Sequence, residues 1–299
     1  MPKELAREVK ETALRAGADL VGIGSIDRYD ASPDSVHPKT IFAGTRSIIA
    51  VALRMVRGAL KTIEDGTYWQ AYNCDSYQYL NEILAPRILR EIVRFLEDRG
   101  YTSVPVHNPF HSRSGRPVRK GGSRPDGIIS LRTIGVVTGL GELGMSKLLL
   151  TPQFGPRQRV YGIFTDAELA PDPLIEKSVC DDCGACVRSC PAGAIGSERT
   201  VKVKIGNREF SHAPLDESKC IRIHAGEDAR YSPFVTKETG PDNPPDYYQF
   251  LRKRFQHLSI CGGRGCVRAC MDHLEKTGRI EKRYRTPMIE GEQWVLEDL

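Results

Sequence analysis

Cys180-Asp-Asp-Cys183-Gly-Ala-Cys186-Val-Arg-Ser-Cys190-Pro191 is the stretch on which the reading of this chain turns. Its spacing, C-x2-C-x2-C-x3-C-P, is the one that wraps a cubane [4Fe–4S] cluster. Four thiolates hold such a cube only if the backbone folds tightly around it. Two-residue gaps permit that wrapping, and Gly184 and Ala185 leave room for the inorganic core. A structural zinc site would instead favour paired C-x-x-C units separated by a longer gap.

The remaining cysteines extend the pattern. The chain has nine, and Cys74, Cys220, Cys261, Cys266 and Cys270 lie outside the run. Cys266 and Cys270 repeat the x3 gap of Cys186 and Cys190. In two-cluster ferredoxins the fourth cysteine of a run ligates the other cluster. That exchange predicts one site of Cys180, Cys183, Cys186 and Cys270. The second site takes Cys190, Cys220, Cys261 and Cys266, and Cys74 is left over. The second set departs from the usual spacing: four residues separate Cys261 from Cys266, and Met271 stands where a proline would follow Cys270. A disulfide framework is disfavoured, because the N-terminus shows no export signal and the chain is not a small secreted domain.

The 299 residues are 40% hydrophobic and 27% charged, which suits one large or two modest globular domains. No apolar run is long enough to span a membrane. A cytoplasmic, reducing and low-oxygen setting is therefore expected. The net charge of +5 permits an acidic partner without demanding nucleic acid.

Along the chain, residues 3–16 read as a helix and 18–24 as a strand; 28–45 read as a loop and 47–53 as a buried strand. The stretch from about 69 to 99 is helical, with Pro86 kinking it or starting a second helix. A short strand follows at 101–106. Residues 107–125 carry His111, Arg113, Arg116, Arg119, Lys120 and Arg124, and read either as a solvated loop or as a basic lid over an anion. Strands at 147–150 and 159–164 flank a turn. Gly139, Gly141 and Gly144 match a dinucleotide fingerprint, but no sustained helix follows, so a nicotinamide site is disfavoured. These glycines instead let the backbone pass a bulky ligand or a neighbouring strand closely. The expected organisation is residues 1–173, then a cysteine-rich unit at 174–275, then a tail at 276–299 bearing Trp294.

The stretch Thr138–Gly144, then Leu148–Arg157, Phe164–Asp166 and the cysteine run at its following separation, resembles the core of cobalamin-dependent reductive dehalogenases. Glu4–Val21 and Phe42–Ile49 are similar to the related epoxyqueuosine reductases. The resemblance implies an α/β (α+β) fold, in which a nitroreductase-like corrinoid-binding domain docks on a ferredoxin-like domain with two [4Fe–4S] clusters. It implies base-off cobalamin, reduced by the clusters to Co(I), held near Gly139, Leu140, Gly141, Gly144 and Met145. Met145 stands where the dehalogenases usually carry an arginine. The family's catalytic tyrosine falls at Tyr77 or Tyr79, a nearby asparagine at Asn108, and the acid of epoxyqueuosine reductases nearest Asp126. A low-potential donor of the ferredoxin or flavodoxin type and a small-molecule or modified-nucleoside substrate are implied. tRNA is possible but not favoured, since the charge excess is small for neutralising many phosphates. An electron-transfer protein or a cobalamin carrier are the rival readings, and an acid poised over the cobalt separates an enzyme from both. Because Cys74 falls outside both ligand sets, Cys74→Ser should retain the full iron content in anaerobic metal analysis; loss of a whole cluster would place it among the ligands.

Overall fold

The structure is a computed structural model that describes residues 2–30, 32, 36–107, 120, 129–224, 226, 232, 265–281 and 283–290. Asn108, Asp126, Cys261, Trp294 and all of the basic stretch except His107 and Lys120 lie outside the described residues.

Helix α1 (Pro2–Ala16) buries Ala6, Val9 and Ala13, one face at helical spacing. Strand β1 (Leu20–Ser25) follows, and β2 (Ser47–Arg54) is buried at every position but its last. The alternation of a strand explains this. Ile49, Val51 and Leu53 enter one core, while Ile48, Ala50 and Ala52 enter another on the opposite face. A strand covered on both faces has no polar side, which is why it reads as an unbroken apolar run.

Helix α2 (Arg57–Glu64) follows β2. A helical turn, Gln70–Tyr72, then passes into a π-helical segment, Asn73–Leu84, and on into α3 (Ala85–Glu97). Pro86 occupies the first turn of α3. Proline has no N–H and its ring obstructs the preceding turn, so it is tolerated only where a helix begins. The widened turn reaches that junction with Ala85 N–H donating five residues back, to the Leu80 carbonyl. The sequence reading allowed a kink or a second helix; the backbone stays helical through Leu84 and Ala85 and changes there from π-helical to α-helical winding.

Strand β3 (Ser103–Val106) and helix α4 (Leu131–Val137) come next, α4 capped by the Ser130 hydroxyl, which accepts from Thr133 N–H. Short strands β4 (Glu142–Leu143) and β5 (Leu149–Leu150) pair with each other, so strands rather than a helix follow the Gly139–Gly144 stretch. The turn expected after 147–150 is present, but β5 does not pair with β6 (Gln158–Thr165). Instead β6 joins the main sheet, whose order is β1-β2-β6-β3 with every pair antiparallel. Helices α1 and α3 cover one face and α4 the other.

The cysteine-rich part contains α5 (Ala185–Arg188), the hairpin β7 (Val201–Ile205) and β8 (Arg208–His212), α6 (Glu217–His224) and α7 (Cys266–Lys276). The whole is a mixed α/β fold carrying a ferredoxin-like cysteine motif. Ile205 and Phe210 of the hairpin add to the core beneath α4. Among the described residues, no helix is long and apolar enough to cross a membrane.

Two ion pairs fasten α7 to α2. Arg268 and Glu64 pair with side chains only 6% and 5% exposed. Arg57 forks onto Glu275, Nε to Oε1 at 3.1 Å and Nη2 to Oε2 at 2.9 Å. A buried pair adds little net stability over an apolar substitute, but removing one partner strands a charge. Glu64→Ala should therefore cost about 3–5 kcal/mol in chemical denaturation under anaerobic conditions, and Glu64→Leu combined with Arg268→Met should recover most of it. A single variant as stable as the parent would show that the pair does not hold the helix.

Candidate metal centres

The start of the cysteine run is pinned by one carboxylate. Glu142 Oε1 accepts from Val179 N–H at 2.8 Å, Cys180 N–H at 2.6 Å and Ser178 Oγ–H at 2.8 Å. Arg279 secures the same segment from the other side, donating to the Val179 and Ser178 carbonyls at 3.0 Å each. Downstream, Asp182 and Gly184 both take left-handed backbone, at φ 57° and 70°, which curls the chain inward before α5. Arg199 Nε clamps the curl by donating to Asp182 Oδ1 at 2.6 Å. The outcome is a cavity lined by Cys180, Cys183, Cys186 and Cys270, with Met145, Ser146, Leu150, His273 and Leu274 as its walls. Cys270 comes from α7, about 80 residues away, as the exchange pattern requires.

Cys190, Cys220 and Cys266 form the second group. Cys220 lies on α6, and Cys266 opens α7, one helical turn before Cys270. Burial, then the field of Cys220 and Cys190, pushes the Cys266 thiol up to about 12. Burial, then Cys190 and Glu217, raises Cys220, with Arg132 opposing. Cys261, the fourth member expected here, lies outside the described residues.

The same physics governs the first group. Burial raises Cys180 and Cys186, and the thiols of Cys180 and Cys183 add to it at Cys186. Cys270 is pushed well up by burial, then by Cys180, Cys186, Cys266 and Cys183. Crowded, buried thiols of this kind resist ionising as free groups. A bound cationic core reverses that balance and takes them as thiolates. The donors thus fit iron–sulfur clusters, and backbone N–H groups aimed at sulfur, Met145 toward Cys180 and Val187 toward Cys186, already favour the charged form. A bound cluster supplies single electrons at low potential.

The glycine stretch is explained by the chain's own packing. A Cβ on Gly139 would meet the Pro173 carbonyl at 2.2 Å, and one on Gly141 the Leu150 carbonyl at 2.1 Å. Leu140 is buried in the core beneath α4. Gly144 and Met145 border the first cysteine cavity.

The two candidate tyrosines part company. Tyr79 is 49% exposed, whereas Tyr77 is 4% exposed. Tyr77 Oη lies 2.7 Å from His224 Nε2, so one hydrogen bond joins the π-helical segment to the helix that carries Cys220. The Arg159 guanidinium stacks on the Tyr77 ring, 4.1 Å from its centroid. Burial, then Arg159 and Arg132, holds the His224 imidazole down at about 4, so it is neutral at pH 7. Sequence reasoning missed Glu142, Arg159, Arg199, His224 and Arg279. Only Glu142 left a signal, as a lone acid within an apolar, glycine-rich stretch.

Comparison with known proteins supports the reading of the cysteine run. A 4Fe-4S binding domain family matches residues 173–196. Tetrachloroethene reductive dehalogenase of Desulfitobacterium hafniense is 46% identical over 71 residues, which are 23% of this chain and 13% of that protein. Epoxyqueuosine reductase of Bacillus subtilis (strain 168) is 23% identical over 274 residues, 74% of this chain and 66% of that one. A solved reductive dehalogenase, whose structure is reported to suggest a mechanism for B12-dependent dehalogenation, has a TM-score of 0.54 at 19% identity. That match covers 75% of this chain but 29% of the other, and it is a likeness of fold. The chain thus spans only a minor part of the dehalogenases it matches.

If the two thiol groups are two cluster sites, protein reconstituted anaerobically should carry about eight irons per chain. Cys266→Ser and Cys270→Ser should each leave about four, with different residual paramagnetic signals. A parent protein with four irons, unaffected by Cys266→Ser, would remove the second site.

Proposed function

We propose that this chain, whose homologues and structural neighbours are reductive dehalogenases and epoxyqueuosine reductase, is an iron–sulfur reductase that works with base-off cobalamin on a small-molecule or modified-nucleoside substrate. Cys180, Cys183, Cys186 and Cys270 would hold one [4Fe–4S] cluster. Cys190, Cys220 and Cys266, with Cys261, would hold the other. The observation that carries the reading is the division of α7, with Cys266 turned to one thiol group and Cys270 to the other. Four residues of helix advance about 6 Å, which keeps the two sites close enough for electrons to pass between them. A low-potential donor of the ferredoxin or flavodoxin type would feed the pair. The corrinoid, suggested by the relatives and by the sequence resemblance, would supply a strongly reducing metal. Of the two tyrosines, Tyr77 is the better proton-holding group, being buried and hydrogen-bonded to His224.

A second reading, a tRNA-modifying reductase, draws on one observation: the alignment with epoxyqueuosine reductase runs over 74% of this chain. The net charge of +5 weighs against it. Anaerobic turnover with a strong reductant separates the readings. Cobalamin-supplemented protein should retain the corrinoid, with a Co(II) paramagnetic spectrum free of nitrogen splitting from the lower base. It should also convert members of a panel of halogenated electrophiles faster than tRNA carrying epoxyqueuosine. Failure to retain any corrinoid contradicts the cobalamin reading, and tRNA conversion far above every small molecule makes the second reading primary.

A further inference from the structure

Arg199 stands beside the first thiol group without being one of its ligands. It lies just before β7, and the fold returns it to the start of the cysteine run. Its Nε donates to Asp182 Oδ1 at 2.6 Å, and Nη1 donates to the Leu143 carbonyl at 3.3 Å and to the Ser211 carbonyl. Strands β4 and β8 thus hold the guanidinium in place. The same Asp182 oxygen lies 3.6 Å from Cys180 Sγ, so one carboxylate oxygen serves both the guanidinium and the thiol. Burial raises the Cys180 thiol; the N–H groups of Met145 and Asp182 and the Arg199 charge pull against it, while the Asp182 charge adds to it. The Arg199 side chain is 21% exposed and that of Asp182 54%, so water screens the carboxylate more than the guanidinium.

With its proton on, Cys180 donates to Asp182. A cluster-bound Cys180 is a thiolate with no proton to give, and the carboxylate then faces another anion. Arg199 offsets both charges. A cube held by four thiolates is anionic and gains one more negative charge when it accepts an electron. A cation fixed at its edge favours the reduced state, and an anion there disfavours it. The second group is served differently. Cys190 Sγ receives Ala194 N–H at 3.4 Å. Burial raises Cys220, exposed Arg132 opposes, and Cys190 and Glu217 add to it. We propose that Arg199 is a positioning residue that holds the reduction potential of the first cluster above that of the second, with Asp182 as its counterweight. At partial reduction the donor's electron then rests on the first cluster. This rests on the reading of the first cysteine group as a cluster site, which iron content judges separately.

Full-length protein, reconstituted anaerobically, would be titrated potentiometrically with both clusters followed by electron paramagnetic resonance. Cys266→Ser, which should keep only the first cluster, assigns the two steps. In the parent the first cluster should be reduced before the second. Arg199→Gln should make the first cluster about tenfold harder to reduce, a fall of about 59 mV for a one-electron couple. Asp182→Asn should move the same cluster the opposite way by less, about threefold, because that charge is better screened. Asparagine also accepts the left-handed backbone at that position. Arg199→Lys keeps the charge and should retain most of the parent's potential. If Arg199→Gln loses iron, the upward shift required of Asp182→Asn still decides. A first cluster of lower potential than the second in the parent, an unmoved first cluster at full iron content, or a downward shift in Asp182→Asn would overturn the proposal and leave Arg199 a backbone clamp. A parent without iron at the first site would refute the cluster reading, and this proposal with it.

Discussion

One turn of helix α7 has to serve two thiol groups at once, and much of the molecule is arranged around that constraint. Cys266 and Cys270 lie on one face of the helix, each buried among other thiols. A helix that carried only one of them could tolerate some rotation or sliding. This one cannot, because turning it to improve one group spoils the other. Its anchors are accordingly rigid: Arg268 is buried against Glu64, and Arg57 grips Glu275 through two hydrogen bonds. The opposing loop is held as firmly. Glu142, Arg199 and Arg279 fix the backbone of residues 178–182, so three cysteines meet the incoming Cys270. The sheet supplies the platform, since Glu142 and Leu150 come from the small hairpin that follows α4.

The glycine-rich stretch acquires its meaning from the same assembly. Gly139 and Gly141 let it run against Pro173 and the β5 backbone, closer than any side chain would permit. That close approach brings Glu142 to the start of the cysteine run and Met145 to the wall of the first cavity. A motif that looks like a nucleotide fingerprint is thus a joint between the sheet and the cysteine-rich part. The π-helical segment makes a second joint, because Tyr77 on it meets His224 on the helix of Cys220.

What the sequence made legible follows the range of the forces involved. The cysteine run was readable because its ligand spacing is local, and the structure brings Cys270 to Cys180, Cys183 and Cys186 as the exchange of fourth ligands implies. The buried strand Ser47–Arg54 was readable from its unbroken apolar run, and Pro86 marked the place where the long helical stretch changes character. Helices α2 and α4 passed unnoticed, being short and lacking a long periodic stripe. Glu142 stood out as a lone acid, but its partners could not be read because they lie some forty residues away. Arg159 and His224 were hidden for the same reason: one is a strand arginine and the other a helix-end histidine until the fold sets both against Tyr77. Tyr77 and Tyr79 could not be told apart in sequence, but burial separates them. Asn108, Asp126 and Cys261 lie outside the described residues.

The central claim is that α7 joins two iron–sulfur sites close enough to exchange electrons. Electron paramagnetic resonance of the fully reduced protein tests it most directly. Two neighbouring reduced clusters should give a broadened, split spectrum from spin–spin interaction, integrating to about two spins per chain on the ligand count. A single simple signal integrating to one spin per chain, unchanged in shape from partial to full reduction, would contradict the account.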